Sequence, residues 1–447
     1  MAFAQSWSSL TRIRGTLPPS RHLPATYQTL CCRWLPATYL ERCHARLGDQ
    51  FTVYTLDMPP LVFLSDPQDI RAVLAGDPSY LHPGAGASMI APLIGDHSFM
   101  LLEEDEHICG RRAITPAFHQ RMVADHTAIL TDAVEREVAS WPLDTPIPLD
   151  PRIRSLTLRV ILRTIFGEHD SALQPLHERL MGMLAVTTSL ILQEPKLRYV
   201  PGWRKAWSTF LERRTEVDQV IYELMARRRG EVDPERGDLL DRLLSAHGVD
   251  GSAMSEQDIR DNLMSMILAG HETTTGELTW AFQLLAHNPD VQDRLIEEID
   301  GGVEDEYLTA TVYETMRHKP VFLFTIPREV VKPIDIGGWT YRPPVHLAGC
   351  TYLMHHNPKL FPKPHEFRPE RFIGAMPQPR TWLPWGGGRK HCLGRHFALL
   401  EVKTILREVL STRRVLAASE RIERPRWRSA IVVPHAGGRV VLQQRRH

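Results

Sequence analysis

The sequence predicts a mostly α-helical protein with a small β-rich part near its N-terminus. Residues 123–250 follow an amphipathic helical pattern that is interrupted only near prolines. Residues 255–288 continue as one long helical pattern, and a proline ends it. By contrast, residues 51–56 and 61–64 are rich in β-branched and aromatic side chains. The two prolines between these runs predict a β-hairpin.

Local signals add detail to this prediction. Asp66 precedes a proline and is expected to cap the helix that follows the hairpin. Ser255 and Asp258 have the spacing of a capping box at the start of the long helix. Residues 83–95 are rich in Gly, Ala and Pro, so we expect a mobile loop there. Residues 1–35 are rich in Pro, Ser and Arg and are expected to form an irregular lead-in.

The composition is that of an ordinary soluble globular protein. Of 447 residues, 43% are hydrophobic and 24% are charged, and the formal net charge is zero. Because binding to nucleic acid needs a basic surface, this balance gives no support to a nucleic-acid partner. No run of about eighteen apolar residues occurs, so no transmembrane anchor is expected. Residues 1–14 lack the apolar core and cleavage site of a signal peptide, which predicts a cytoplasmic location.

Cys392 differs from the other five cysteines, whose spacing shows neither a disulfide framework nor a zinc-type Cys-x-x-Cys pair. Residues 386–388 are all glycine, Gly394 follows the cysteine, and a helical pattern starts at Arg395. Cys392 should therefore lie just before a helix N-terminus, where the helix dipole and backbone N–H groups favour a thiolate. Such a thiolate is a candidate axial ligand for haem iron. On this loop alone, a buried structural cysteine remains the alternative. A phosphate-binding loop is disfavoured because no Gly-Lys-Ser/Thr ending follows.

The same stretch resembles the haem-binding loop of the cytochrome P450 family, the haem-thiolate monooxygenases, which reads Phe-Gly-x-Gly-x-Arg-x-Cys-x-Gly. The matching residues are Gly386, Gly388, Cys392 and Gly394. Trp385 stands where the family has Phe, and Lys390 stands where it has Arg or His. The resemblance implies that Cys392 binds the iron and that Trp385, Lys390 and Gly394 contact the cofactor, haem b (iron protoporphyrin IX). Lys390 keeps the positive charge but lacks the bidentate fork of Arg.

A second motif, Ala269-Gly-His-Glu-Thr-Thr-Thr-Gly276, lies inside the long helix. Glycines and hydroxyls weaken a helix, so a cluster of them in mid-helix often marks a site. A polar patch at a helix crossing is the alternative. The motif resembles the family's Ala/Gly-Gly-x-Asp/Glu-Thr. This resemblance implies that Ala269 leaves room for dioxygen at the haem, that Thr273 holds water beside it, and that Glu272 feeds protons.

Further site residues come chiefly from the resemblance. His107 and Arg111 are four apart and share one helix face, which on spacing alone indicates a solvated polar face. In the family, residues at this spacing reach the haem propionates, and so does an arginine that corresponds to Arg328. The segment before that arginine lines the family's substrate pocket, so Phe324 and Ile326 are predicted pocket residues.

Glu314 and Arg317 are three apart on a predicted helix and can form an ion pair. Any helix can show such a pair by chance. Residues 367–372, Phe-Arg-Pro-Glu-Arg-Phe, resemble the family's meander, whose arginine joins the helical pair in a buried triad behind the haem. The resemblance therefore assigns Glu314, Arg317 and Arg371 to a triad that serves folding and haem retention.

Taken together, the motifs imply the mostly α cytochrome P450 fold as one domain over residues 1–447, with a large helical lobe and a small β-rich lobe. The missing N-terminal anchor is typical of the soluble bacterial type. The implied reaction inserts one oxygen atom from O2 into a small lipophilic substrate, by hydroxylation or epoxidation, and a monomer is expected.

No flavin or nicotinamide fingerprint occurs in the chain, so electrons from NAD(P)H should arrive through a ferredoxin reductase and a ferredoxin. Arg389 and Arg395 are the candidate docking cations beside Cys392. The alternatives are a haem-thiolate peroxygenase or isomerase, and a haem sensor or electron carrier without enzymatic activity. The Glu272–Thr273 pair disfavours these, because none of them needs proton delivery to dioxygen.

Overall fold

The chain folds into a large helical part and a smaller part made of short strands. The computed structural model describes residues 17–56, 58–118, 127–167, 170–187, 200–233, 238–302 and 305–445. The helices are α1 (Ala25–Trp34), α2 (Pro36–Leu47), α3 (Pro67–Leu74), α4 (Pro83–Gly86), α5 (Ala91–Ile94), α6 (Glu104–Ile114), α7 (Thr127–Ala139), α8 (Asp150–Phe166), α9 (Asp170–Thr187), α10 (Arg204–Arg228), α11 (Leu239–Leu244), α12 (Glu256–His287), α13 (Pro289–Gly301), α14 (Glu306–His318), α15 (Thr351–His355) and α16 (Arg395–Thr412).

The strands are short and form four small sheets. They are β1 (Gln50–Val53), β2 (Leu61–Leu64), β3 (Leu81–His82), β4 (Pro146–Pro148), β5 (Arg328–Val330), β6 (Ile334–Ile336), β7 (Trp339–Tyr341), β8 (Val345–Gly349), β9 (Arg413–Ala417), β10 (Pro425–Arg428), β11 (Ile431–Pro434) and β12 (Arg439–Gln444). The largest sheet has the order β1-β2-β8-β5-β3, and β4-β12-β9, β10-β11 and β6-β7 form the others. The predicted mostly α class with a smaller β-rich lobe is confirmed.

The hairpin predicted near the N-terminus is also confirmed. Strands β1 and β2 pair antiparallel, with Phe51 opposite Phe63. Strand β2 then pairs in parallel with β8, so the β-rich lobe also recruits chain from the second half of the sequence. This recruitment matters for the site, because β5 in the same sheet begins at Arg328.

Helix α1 corrects the prediction that residues 1–35 are irregular, because Ala25–Trp34 are helical. The reason is tertiary. The Gln28 side chain is fully buried, donates to Leu23 O at 2.9 Å, and accepts hydrogen bonds from Tyr39 Oη at 3.1 Å and Tyr54 N at 3.2 Å. Because this buried amide has three hydrogen-bond partners, it holds the segment against α2 and against the residue that follows β1. Pro-rich composition alone does not reveal those partners.

Residues 83–95 likewise form two short helices, α4 and α5, joined by a 3-10 turn at Ser88–Ile90, rather than the expected loop. Neighbouring side chains hold both helices. The Glu103 carboxylate accepts from Ala85 N at 3.2 Å, and Arg260 donates to Ile94 O at 3.2 Å. These contacts satisfy backbone groups that would otherwise need water.

Helix α12 runs through the centre of the helical part. Ser255 and Asp258 close the predicted capping box at its start, with Asp258 N 3.1 Å from Ser255 Oγ and Ser255 N 3.1 Å from Asp258 Oδ2. Its residues are buried on all sides, and it packs against α8 and α16. Asp66 caps α3 as predicted, accepting from Gln68 N at 2.8 Å. Within the described ranges, no helix is long and apolar enough to cross a bilayer.

Candidate active site

A cavity of about 1050 Å³ lies between α12, the glycine loop before α16, and the β-rich lobe. This volume is at the upper end of what ligand sites enclose, so it has room for a large cofactor and a substrate. The predicted site residues His107, Arg111, Ala269, Glu272, Thr273, Phe324, Ile326, Arg328, Trp385, Lys390, Cys392 and Gly394 all line it. Residues from four distant stretches of the sequence therefore meet at one space.

The glycine loop places Cys392 at the cavity wall. Gly388 has φ +67°, and a Cβ there would stand 1.9 Å from Leu74 O, so only glycine fits. Cys392 N donates to Trp385 O at 2.8 Å, which closes the loop. Helix α16 begins at Arg395, so the predicted position of the cysteine just before a helix N-terminus is confirmed.

The surroundings of the Cys392 sulfur act on its pKa in opposite directions. Burial raises the pKa of the Cys392 thiol, although a hydrogen bond from the Gly394 backbone and the charges of Arg111 and Arg395 all act to lower it. The helix terminus and the arginines are present as expected, but the loss of water around the sulfur outweighs them. A bound metal deprotonates a coordinating thiol outright, so this sulfur suits a metal ligand better than a free nucleophile.

On α12, residues four apart form one stripe along the cavity. Thr273 Oγ1 donates to Ala269 O at 2.7 Å, which keeps the hydroxyl beside the small alanine. Gly270 packs against α8, where an added Cβ would stand 2.8 Å from Ile161 Cδ1. The small residue at position 270 is thus required by the contact between the two helices, while Ala269 and Thr273 line the cavity.

Glu272 lies in a buried ion network that the sequence did not predict. Its carboxylate pairs with Arg154 of α8, Arg428 Nε lies 2.9 Å from Oε2, and His271 Nε2 lies 3.5 Å from Oε1. Burial opposes ionisation, but the charges of Arg428 and Arg154 outweigh it and lower the pKa of Glu272 to about 2. Glu272 is therefore an ionised carboxylate that two arginines hold in place. Arg428 also pairs with Asp150 at the start of α8.

Four basic side chains line the same cavity. They are His107 and Arg111 of α6, Arg328 of β5, and Lys390 of the glycine loop. Burial lowers the pKa of Lys390 to about 8 and that of Arg328 to about 10, with Glu103 as the carboxylate that partly offsets both effects. Burial, with a contribution from Lys390, also lowers the pKa of His107 to about 4. Lys390 and Arg328 thus carry buried positive charges that Glu103 only partly offsets, whereas His107 is a neutral hydrogen-bonding group at neutral pH, and these charges favour an anionic ligand. The two carboxylates of a haem would compensate these charges, so the residues fit haem.

The same four residues already have protein partners. Lys390 Nζ donates to Leu102 O at 2.7 Å and to Met100 O at 3.0 Å. His107 Nδ1 is 2.8 Å from Phe99 O, Arg111 Nη1 is 3.0 Å from His391 O, and Arg328 Nη1 is 2.8 Å from Ile326 O. Each side chain is oriented by these backbone contacts. Lys390 uses its ammonium mainly to tie the glycine loop to residues 100–102.

The predicted substrate residues lie on an aromatic wall. The Phe324 ring meets Phe63 edge-on with centroids 5.2 Å apart, and Trp427 at 6.1 Å. Ile326 lines the cavity two residues further along. This wall joins the first strand pair to the last hairpin of the chain, and its apolar rings suit a lipophilic ligand.

The structure brings Glu314, Arg317 and Arg371 together. Arg317 Nε lies 2.7 Å from Glu314 Oε2, and Arg371 Nε lies 3.3 Å from Glu314 Oε1. Arg317 is fully buried and also donates to His355 O at 2.9 Å. Leu383 N donates to His355 Nε2 at 3.0 Å, so His355 belongs to this packing. In the described ranges no group of three or more His, Cys, Asp or Glu could hold a metal ion.

Two buried carboxyls near the stripe were also missed from the sequence. Glu277, four residues after Thr273, lines the cavity, and burial raises its pKa well above the ordinary value. Burial raises the pKa of Glu401 on α16 to about 8, although a hydrogen bond with Thr274 acts to lower it. The position of Glu277 on the helical stripe of Ala269 and Thr273 was a usable signal, whereas nothing local marks Glu401.

The helical fold, the cysteine loop and the basic cavity wall define a haem-thiolate class of protein, and comparisons with known proteins agree. The family described as Cytochrome P450 matches residues 18–441. In Mycobacterium tuberculosis, the protein provisionally named cytochrome P450 135B1 is 33% identical over 440 residues, covering 96% of this chain and 92% of its own length. One provisionally named cytochrome P450 137 is 34% identical over 437 residues, covering 95% and 90%.

Solved structures show the same fold. Cyanobacterial CYP120A1 with bound retinoic acid superposes with a TM-score of 0.82 at 20% identity, covering 96% of this chain and 100% of that one. The haem domain of cytochrome P450DA gives 0.81 at 20% identity, covering 96% and 98%. The chain therefore belongs to the cytochrome P450 family, as its motifs predicted. Membership makes it a haem-dependent oxidoreductase of the monooxygenase class.

Proposed function

We propose that this protein inserts one oxygen atom of O2 into a lipophilic organic substrate, with Cys392 as the axial ligand of haem b. The observation that carries the proposal is that Cys392 and the Ala269–Thr273 stripe line one cavity. When bound, haem supplies the redox chemistry that activates dioxygen, and a thiolate ligand favours O–O cleavage. The chain's own residues bind, orient and deliver protons.

His107, Arg111, Arg328 and Lys390 would hold the haem propionates. The buried charges of Arg328 and Lys390 support this role, and His107 would contribute as a neutral hydrogen-bonding group. Trp385 and Gly394 flank Cys392 in the loop and would contact the cofactor near the sulfur. The buried triad of Glu314, Arg317 and Arg371 is proposed to hold the segment behind the loop, so that the cofactor is retained.

Proton delivery is assigned to Thr273 and Glu272. Thr273 Oγ1 can accept a hydrogen bond from water while it donates to Ala269 O. Glu272 is ionised and paired with two arginines. It would therefore accept a proton from solvent and pass it on only when its ion pair with Arg154 or Arg428 breaks. Both residues would act through the water that the cavity admits.

The electrons are proposed to come from NAD(P)H through a ferredoxin reductase and a ferredoxin. Arg389 and Arg395 are exposed on the Cys392 side of the cavity, where an acidic partner could dock. The expected monomeric state and cytoplasmic location belong to this proposal as well.

The decisive experiment replaces Cys392. The purified native protein should contain haem, and its reduced carbon monoxide complex should show the red-shifted Soret band of a thiolate ligand. Cys392→Ser should lose this band, while the matched control Cys109→Ser should keep it. With ferredoxin, reductase and labelled O2, the native protein should place one labelled oxygen atom in the product. If Cys109→Ser removed the band and Cys392→Ser did not, the assignment of the ligand would be wrong.

A further inference from the structure

Helix α10 forms part of the cavity wall opposite α12. Trp207 and Arg214 lie seven residues, or two turns, apart on this helix, and both line the cavity. Trp207 contributes an apolar ring to the wall. Arg214 adds a cation to a cavity that Met266 and Ala269 of α12 also line. A cation in a cavity wall attracts an anionic group of a ligand.

Arg214 has only a long contact with a carboxylate. Its Nε lies 3.7 Å from Asp218 Oδ2, whereas Arg260 Nε lies 2.7 Å from Asp218 Oδ1. Arg260 is almost fully buried and also bonds Asp261 at 2.8 Å. Within the described part of the chain, this long ion pair with Asp218 is the polar contact of Arg214. Arg260 thus takes most of the charge of Asp218, which leaves the donors of Arg214 for a ligand.

The environment strengthens such an interaction. Only 28% of the Arg214 side chain is exposed, so water screens its charge incompletely. Burial raises the pKa of Asp218, and this effect outweighs the charges of Arg260 and Arg214, which act to lower it. Asp96 also lines the cavity, but it is exposed, so solvent weakens its repulsion of an anion.

We propose that Arg214 binds the carboxylate of the substrate, so that the protein acts on lipophilic carboxylic acids. This inference rests on the proposed function, because that function makes the cavity a substrate site.

The test uses three ligands that share one alkyl chain: the carboxylate, its methyl ester and the trimethylammonium analogue. Their affinities for the haem-loaded protein are measured by the spectral shift on binding and, independently, by calorimetry. Arg214→Ala should weaken carboxylate binding about 10- to 100-fold, as expected for a charge-assisted hydrogen bond, and should leave the ester unchanged. Arg213→Ala removes the same charge from the exposed neighbour and should change neither affinity.

Three results would overturn the inference. They are equal losses for carboxylate and ester in Arg214→Ala, a loss of the same size in Arg213→Ala, or tighter binding of the trimethylammonium compound than of the carboxylate by the native protein. Arg214→Gln repeats the comparison with a side chain of closer size, in case the alanine variant folds poorly. If the native protein failed to form the thiolate carbon monoxide complex, the proposed function would fall, while the calorimetric comparison would still decide on Arg214.

Discussion

Arg428 Nε lies 2.9 Å from Glu272 Oε2, so the C-terminal hairpin supplies a counter-ion for the acid of the central helix. Arg154 of α8 pairs with the other carboxylate oxygen. The acid that resemblance assigns to proton delivery is thus held between two elements that are far from it in sequence. We therefore expect the charge of Glu272 to contribute to the stability of the fold.

The first prediction concerns the stability of this network. The pKa of Glu272 is about 2 in the folded protein, below the ordinary 4.5, so its stabilisation is present above about pH 4.5 and is lost as the pH falls toward 2. Glu272→Gln leaves buried Arg154 without a carboxylate and Arg428 with Asp150 alone, and should lower the free energy of unfolding by about 3–5 kcal/mol at neutral pH. Denaturant titrations between about pH 7 and pH 3 measure both effects.

The double variant Glu272→Gln with Arg154→Gln is the matched control. Because it removes the buried cation that Glu272→Gln leaves without a carboxylate, it should be more stable than Glu272→Gln alone. If the single variant were as stable as the native protein, the ion network would not contribute to folding.

The second prediction concerns coupling. Thr273→Ala removes the hydroxyl that lines the cavity and donates to Ala269 O, while the backbone of α12 keeps its helical hydrogen bonds. The variant should bind haem and substrate normally, but product formed per NAD(P)H consumed should fall several-fold, and the released peroxide should rise. Thr273→Ser retains a hydroxyl and should retain most of the coupling. An unchanged ratio in Thr273→Ala would mean that protons reach the oxygen by another path.

The third prediction uses the buried carboxyl of Glu401. Its pKa is raised to about 8 from the ordinary 4.5, because burial disfavours the charge. As the pH rises from about 4.5 to 8, the unfolded chain ionises while the folded protein keeps the proton, so this residue lowers stability progressively. Glu401→Gln stays neutral and should become more stable relative to the native protein across this window, by up to a few kcal/mol at about 1.4 kcal/mol per unit.

Thermal unfolding or denaturant titration at both ends of that window measures the difference for Glu401→Gln. Exposed Glu420 offers a control, since a surface substitution such as Glu420→Gln should change stability by less than about 0.5 kcal/mol at either pH. A Glu401→Gln variant that is destabilised equally at both pH values would show that the protonation of Glu401 does not set the stability in this window.

The fourth prediction concerns the redox partner. Arg389 and Arg395 are exposed beside the cysteine loop, and attraction to an acidic ferredoxin weakens as the screening length falls from about 10 Å at 0.1 M salt to about 3 Å at 1 M. The rate of first electron transfer should therefore fall with salt. It should also fall at low salt in the variant with Arg389→Glu and Arg395→Glu. A rate that responds to neither change, with haem content intact, would rule out docking through these residues.

The parts of the site that sequence predicts are those built from local chemistry. Gly388 has φ +67°, a backbone conformation that favours glycine, and the cysteine follows within the same loop. Ser255 and Asp258 bond each other across one helical turn. Such features need only neighbours in the chain, so their pattern is visible in the sequence and predicts their position.

What the sequence could not predict depends on partners that folding brings together. Arg154 reaches Glu272 across 118 residues, and nothing near either residue signals the pair. The helix at Ala25–Trp34 depends on the burial of Gln28 against Tyr39 and Tyr54. The helix terminus beside Cys392 is evident from the sequence, whereas the burial that raises the pKa of its thiol is not.

The hairpin that carries Arg428 has one more consequence. Ser429, Ala430 and Ile431, which follow directly, line the cavity. The backbone that a ligand touches is thus continuous with the residue that holds Glu272. A substitution that reshapes this turn is therefore expected to shift the Arg428 guanidinium beside Glu272 as well. If Glu272 delivers protons as proposed, substitutions at positions 429–431 should change both the preferred substrate and the product formed per electron, so both properties should be measured together.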